Sequence, residues 1–144
     1  MVGEGPFLWF ARQIAEAKGL SDRITFHPSG ANVRAVLQGA DILILPSANE
    51  GLALVAIEAI EEGVIPIATG VGVMGELLPQ DLLMPPEPAQ TVRGIVRIVD
   101  RLWRDGAFLE EQALTLRKNL VTLVAEPSAK DVITGYYREA MEAK

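Results

Sequence analysis

Apolar positions change their spacing several times along this chain, and each change marks an element. Phe7, Phe10, Ala11, Ile14 and Ala15 recur at three- and four-residue intervals, which predicts a helix from Phe7 to Leu20 closed by Gly19. Ile24-Thr25-Phe26 has strand character, and His27-Pro28-Ser29-Gly30 breaks it, because proline lacks a donor and glycine admits positive φ. Val33, Val36 and Leu37 place a short helix between Ala31 and Gly39. The run Ile42-Leu43-Ile44-Leu45 is continuously apolar, the pattern of a parallel strand covered on both faces. Pro46-Ser47-Ala48-Asn49-Glu50-Gly51 reads as a loop, followed by a helix from Leu52 to Glu62 that Gly63 ends. Ile65-Pro66-Ile67-Ala68-Thr69 is a second buried strand, with Pro66 near its start, where a missing N–H is tolerated. Met74 to Leu78 fits one helical turn, and Asp81 to Met84 a short last strand.

From Ala89 onward the period is helical. Val92, Ile95, Val96, Val99 and Leu102 form one apolar stripe, and Leu109, Ala113, Leu116, Leu120 and Leu123 another. Pro127-Ser128 separates a last helix, Asp131 to Ala143. Strand and helix in alternation predict an α/β, Rossmann-like three-layer domain with a mainly parallel sheet and C-terminal helices, a single domain over residues 1–144.

Composition narrows the function. The 144 residues are 49% hydrophobic with a mean hydropathy of +0.24, enough for a sizeable core and some apolar surface left for a partner. Thirteen Lys and Arg against nineteen Asp and Glu give a net charge of −6, which argues against nucleic acid as a partner. With no cysteine and one histidine, thiolate and multi-histidine metal sites are excluded; no metal site and no cofactor are expected. No stretch approaches the roughly 20 apolar residues that span a bilayer.

In a parallel sheet, ligands sit at the carboxyl ends of strands, where helix N-termini offer N–H groups and a positive dipole end. The loops Pro46 to Gly51 and Gly70 to Gly75 are placed that way. Glu50 precedes a helix start. Glu58 lies in a helix apolar on every face, so it is expected to be buried and to need a hydrogen-bonding companion, either an ion-pair partner or a ligand hydroxyl. The two glutamates are about two turns, roughly 12 Å, apart, too far to share a proton or a metal. His27 reads as a strand-end residue and Ser47 as a loop serine, since no G-x-S-x-G surrounds it. Trp9, Trp103, Tyr136 and Tyr137 read as packing residues. Arg93, Arg97, Arg101 and Arg104 form a basic stripe, ordinarily a solvated face.

The stretch from Pro46 to Ala59 resembles the segment P-S-x-x-E-G-[FL]-[GA]-L-x-x-x-E-A that marks the retaining glycosyltransferases of the GT-B fold, group 1 or family 4. Gly3-Glu4-Gly5-Pro6 is similar to that family's G-[DE]-G-P, Ile24-Thr25-Phe26 to its V-x-F, and Ala40-Asp41-Ile42 to its A-D-[VI]. Gly63, Pro66 to Thr69, Gly72 and Glu76 resemble G-x-P-V-x-A-T-x-x-G-G-x-x-E, with Val73 at the second glycine. The resemblance implies the nucleotide-sugar-binding half of such an enzyme. Glu58 would accept hydrogen bonds from ribose hydroxyls, and Glu50 would contact the donor sugar as the catalytic candidate. Gly51, Leu52 and Ala53 would offer N–H groups to sugar or diphosphate, and Gly30 and Asn32 would lie against the base. For a chain without cysteine a reducing, cytoplasmic setting is the default expectation, peripheral to the inner membrane face in the full-length protein as one form of it.

In that family the Arg and Lys that neutralise the diphosphate, an acceptor-binding domain and one central strand precede the G-[DE]-G-P segment. This chain is therefore expected to be inactive alone, and to have a sheet lacking the strand between the one ending at Gly3 and Ile42–Leu45. Its expected partners are a nucleoside-diphosphate sugar, an acceptor of unknown identity, and the N-terminal domain or another chain, with a homodimer by strand exchange as one form. Two alternatives stand beside this reading: a non-catalytic module that pairs with another chain, and a nucleotide-sugar epimerase or sugar-phosphate synthase on the same scaffold.

Overall fold

In the computed structural model, which describes residues 1–49 and 53–125, the chain divides into two units, Met1–Gly39 and Ala40–Lys144. In the first, helix α1 spans Leu8–Ala17 and closes as its glycine requires: Gly19 has φ +64°, and the Leu20 N–H reaches back to the Ala15 carbonyl at 2.8 Å. Ala15 is the buried residue of α1, while Phe7, Trp9 and Phe10 are exposed, so Trp9 is not the packing residue its type suggests. Helix α2, Val33–Leu37, starts at Asn32, whose side-chain oxygen accepts the Ala35 N–H at 3.2 Å. The Arg12 guanidinium lies 4.6 Å from the centre of the Phe26 ring, which ties α1 to the segment expected as a strand. That segment forms no ladder. A single parallel bridge joins Val2 to His27, and pairing stops where Gly3 turns away at φ +133°.

The second unit carries a three-stranded parallel sheet. Strand β1 is Ile42–Leu45, helix α3 Leu54–Glu61 and strand β2 Ile65–Thr69; helix α4 is Met74–Leu77 and strand β3 Leu83–Met84. The order is β1-β2-β3, with Ile42 opposite Ile65, Leu45 opposite Ala68, and Thr69 opposite Met84. Helices α5, Pro88–Arg104, and α6, Gly106–Ala125, complete the described part. The α/β class and parallel sheet agree with the apolar pattern. The helix expected over Asp131 to Ala143 lies outside the described residues.

The core forms around β2, all five of whose residues are buried. Helix α3 packs on β2, α5 on β2 and β3, and α6 against α3, α4 and α5. Ile67, Met74, Leu77, Leu82 and Leu116 are essentially inaccessible. β1 behaves differently from its sequence. It is an edge strand among the described residues, and Ile44 is 41% exposed, so the run is not covered on both faces.

Two further expectations change for one reason: a helix buries the face that meets its neighbours, whatever the rest of it carries. In α3, Ala56, Ala59 and Ile60 are buried against the sheet and α6, while Leu54, Glu58 and Glu61 share the open side. Glu58 is exposed, not buried. In α5 the inner face is Ile95, Ile98, Val99 and Leu102, and Val92 and Val96 stand outside it with Trp103.

At the α5–β3 contact, Gly94 packs closely on Met84. A Cβ there would lie 3.3 Å from the Met84 Cγ and 3.4 Å from its Cβ. Gly94→Leu is expected to destabilise the chain by about 1–3 kcal/mol through overpacking, as read by urea unfolding.

Candidate functional site

Site geometry at the carboxyl end of the sheet begins with a buried hydroxyl. Thr69 ends β2 at 1% exposure, and a buried hydroxyl must find a partner. It donates to the Ser47 carbonyl, which fastens the loop after β1 to the end of β2. The next turn is wound tightly by backbone bonds: Gly70 N–H to the Met84 carbonyl at 3.1 Å, Val71 N–H to the Thr69 carbonyl at 2.8 Å, and Gly72 at φ +57°. Two loops thus leave adjacent strand ends with fixed starting points. Thr69 falls within one of the family-like motifs but is not among the site residues that the sequence suggests; a lone hydroxyl closing an otherwise apolar strand is the available signal.

Ala53 follows as the N-cap of α3, buried and extended, with φ −76° and ψ 94°. Its carbonyl accepts the Ala56 N–H at 2.8 Å, but an alanine has no side-chain acceptor to offer the helix's other first-turn donors. A first turn without a side-chain acceptor at its N-cap suits N–H contacts to an anionic or hydroxylated ligand. Glu58 sits on the open side of the same helix, about 7.5 Å further along its axis. Glu50, Gly51 and Leu52 lie outside the described residues.

Gly30 and Asn32 belong to the first unit. Gly30 is exposed in the turn where the Ala31 N–H meets the Pro28 carbonyl at 3.0 Å, and an added Cβ would meet no atom within 4 Å. Its φ is not positive, so the turn itself does not demand glycine. The Asn32 side-chain oxygen is engaged as the α2 cap and its carbonyl accepts the Val36 N–H at 3.2 Å, which leaves its amide nitrogen and backbone N–H for any ligand.

A separate concavity of about 660 Å³ lies beside β3 and α5, lined by Gly70, Gln80, Asp81, Pro85, Arg97 and Arg101 among others. Arg101 is held there by Asp81 at 3.1 Å and stacks 3.6 Å from the centre of the Phe108 ring. Arg104 bonds Asp100 at 2.6 Å, and that hydrogen bond, with the attraction of the carboxylate, raises its pKa above the ordinary guanidinium value. Among the described residues no cluster of His, Asp or Glu could hold a metal ion, and no helix is long and apolar enough to cross a membrane.

Comparison with known proteins places this geometry. The model of the family described as glycosyl transferases group 1 matches residues 1–101. A 2-deoxystreptamine glucosyltransferase of Streptomyces kanamyceticus is 32% identical over 106 residues, 69% of this chain and 27% of that protein. A lipopolysaccharide core biosynthesis mannosyltransferase of Rhizobium meliloti is 38% identical over 77 residues, 51% of this chain and 22% of that protein. The chain thus spans about a quarter of these curated relatives. Sucrose-phosphate synthase from Thermosynechococcus elongatus superimposes over 99% of this chain and 38% of its own, with a TM-score of 0.72 and 25% identity.

The Thr69 bond can be tested directly. Thr69→Val keeps the shape and removes the donor, and is expected to cost about 1 kcal/mol of stability and to speed amide exchange in residues 47–49, measured by mass spectrometry.

Proposed function

The chain belongs to the group 1 glycosyl transferases, and on that premise we propose that it is the donor-binding half of a retaining enzyme that takes a nucleoside-diphosphate sugar. The observation that carries the reading is α3: a helix at the carboxyl end of a parallel sheet, with no side-chain acceptor at its N-cap and a carboxylate on its open side. The first-turn N–H groups and the positive end of the helix dipole suit the sugar and the diphosphate. An exposed Glu58 suits ribose hydroxyls, which need an accessible acceptor; a carboxylate already enclosed in the core would serve only the fold.

The comparisons support the same half of the reaction. A glucosyltransferase and a mannosyltransferase are each similar to part of this chain while differing in the sugar their names give. In the proposed reaction, the bond between the anomeric carbon and the diphosphate oxygen breaks, and the acceptor oxygen bonds the same face of the sugar. The acceptor's proton passes to the departing diphosphate. Most of the acceleration then comes from holding the reactants in place and stabilising the leaving charge. Glu50, directly before the glycine that leads into α3, contacts the donor sugar, and Gly51, Leu52 and Ala53 supply N–H groups. Gly30 and Asn32 face the base.

Glu58→Gln in the protein carrying this chain is expected to weaken binding of its UDP-, GDP- or ADP-sugar about tenfold or more, the scale of a hydrogen bond to a charged group. The thermal midpoint should hold, because Glu58 is exposed. Isothermal titration decides: equal affinity in Glu58→Gln, or no binding of any of these donors, would refute the reading.

A further inference from the structure

Helix α5 carries on its outer side a feature that neither the core nor the proposed donor site uses. Val92, Val96 and Trp103 are 61%, 64% and 88% exposed. Spaced by four and seven residues, they lie along one line of the helix about 16 Å long. Roughly 100° around the same surface runs a second line of Arg93, Arg97 and Arg104. The helix holds four arginines against one aspartate, in a chain whose net charge is −6. Arg104 is paired with Asp100 and Arg101 with Asp81, whereas Arg93 and Arg97 have no carboxylate within ion-pair distance among the described residues. Both unpaired arginines line a groove of about 350 Å³ with Pro85, Gln90 and Gly94, wide enough for a phosphate group.

We propose that the outer face of α5 docks on the surface of an anionic lipid bilayer. The valines and the Trp103 ring enter the boundary between headgroups and acyl chains, and Arg93 and Arg97 take lipid phosphates at the rim of the groove. The pattern is that of a helix lying in the interface plane: an apolar line with a tryptophan beside a line of arginines, on an element too polar to cross the membrane. Charge complementarity selects the lipid. The acidic remainder of the chain is repelled by an anionic surface, so this is the face that approaches it. A tryptophan ring, apolar in body and polar at its N–H, settles at headgroup depth. An acidic protein partner would satisfy the arginines but gives no reason for Trp103 to project so far. This inference does not depend on donor binding.

The full chain is sedimented with phosphatidylcholine vesicles with and without phosphatidylglycerol. Binding is expected only with the anionic lipid and is expected to fall at high salt. Arg93→Gln/Arg97→Gln should lower the partition coefficient roughly 25-fold, about fivefold per arginine, and Trp103→Ala several-fold, with the circular dichroism melt of each variant unchanged. In a Trp9→Phe background, Trp103 fluorescence should shift to the blue on anionic vesicles. Equal binding to neutral vesicles, no binding, or binding untouched by the arginine pair would overturn the proposal. So would concentration-dependent dimerisation abolished by Trp103→Ala, which would make this face a contact between two copies.

Discussion

The complete burial of β2 is the constraint from which the rest of the second unit follows. Five residues with no exposed member require cover on both faces of the strand and a hydrogen-bonding neighbour on each side. β1 and β3 satisfy the edges, and α3, α5 and α6 supply most of the cover. Because the strand is apolar up to its last residue, its single hydroxyl has few places to go. Thr69 bonds the Ser47 carbonyl, and so the burial that holds the sheet together also decides where the loop after β1 begins. Loop position is a consequence of core packing here. Small residues extend the same logic: Ala56 and Ala59 let α3 approach the sheet, and Gly94 lets α5 approach Met84.

Much of this was legible in the order of residues, for identifiable reasons. A run such as Ile65–Thr69 can be buried on every side only as an inner strand, and glycines at 19 and 63 mark helix ends because the chain there needs positive φ. In both places the residue after the glycine bonds back to an alanine, Leu20 to Ala15 and Val64 to Ala59 at 2.8 Å. The motif around Pro46 to Ala59 pointed to the family that the match over residues 1–101 establishes. What misled were features whose outcome depends on distant partners. Residue type cannot say which side of a helix its neighbours cover, and so Glu58 looked enclosed and Trp103 looked like core. Ile42–Leu45 reads as doubly covered because its alternate residues are equally apolar, yet the face of Ile44 stays partly open. Ile24–Phe26 has strand-forming residues, yet the pairing beside it is a single bridge, Val2 to His27.

The reversal at Glu58 bears on chemistry as well as on fold. A buried carboxylate must be stabilised before any ligand arrives, and its binding energy is then largely committed to the protein. An exposed one keeps its hydration shell and exchanges water for ligand hydroxyls at small net cost, gaining affinity chiefly through orientation. Helix α3 provides orientation: it is fixed on the core by Ala56, Ala59 and Ile60 and reverses at Gly63 through the Val64 bond. The Glu58 backbone is therefore rigid although its side chain is accessible, the combination a positioning carboxylate needs.

The connection between β3 and α5 relates that site to the outer helix. Pro88 begins α5 three residues after Pro85, directly beyond the carboxyl end of β3, so the first turns of α5 lie at the same end of the sheet as the loops after β1 and β2. From there α5 runs back along the sheet, bringing Arg101 to Asp81 on the amino side of β3. A bilayer held against the outer face of α5 would therefore lie alongside the strands, and the carboxyl ends would open laterally along the membrane. The loops after β1 and β2 would stay in water, where the nucleoside-diphosphate sugar of the proposed function would arrive. Thus the packing of one helix on Met84 would set how the carboxyl ends of the strands stand to a surface docked on α5.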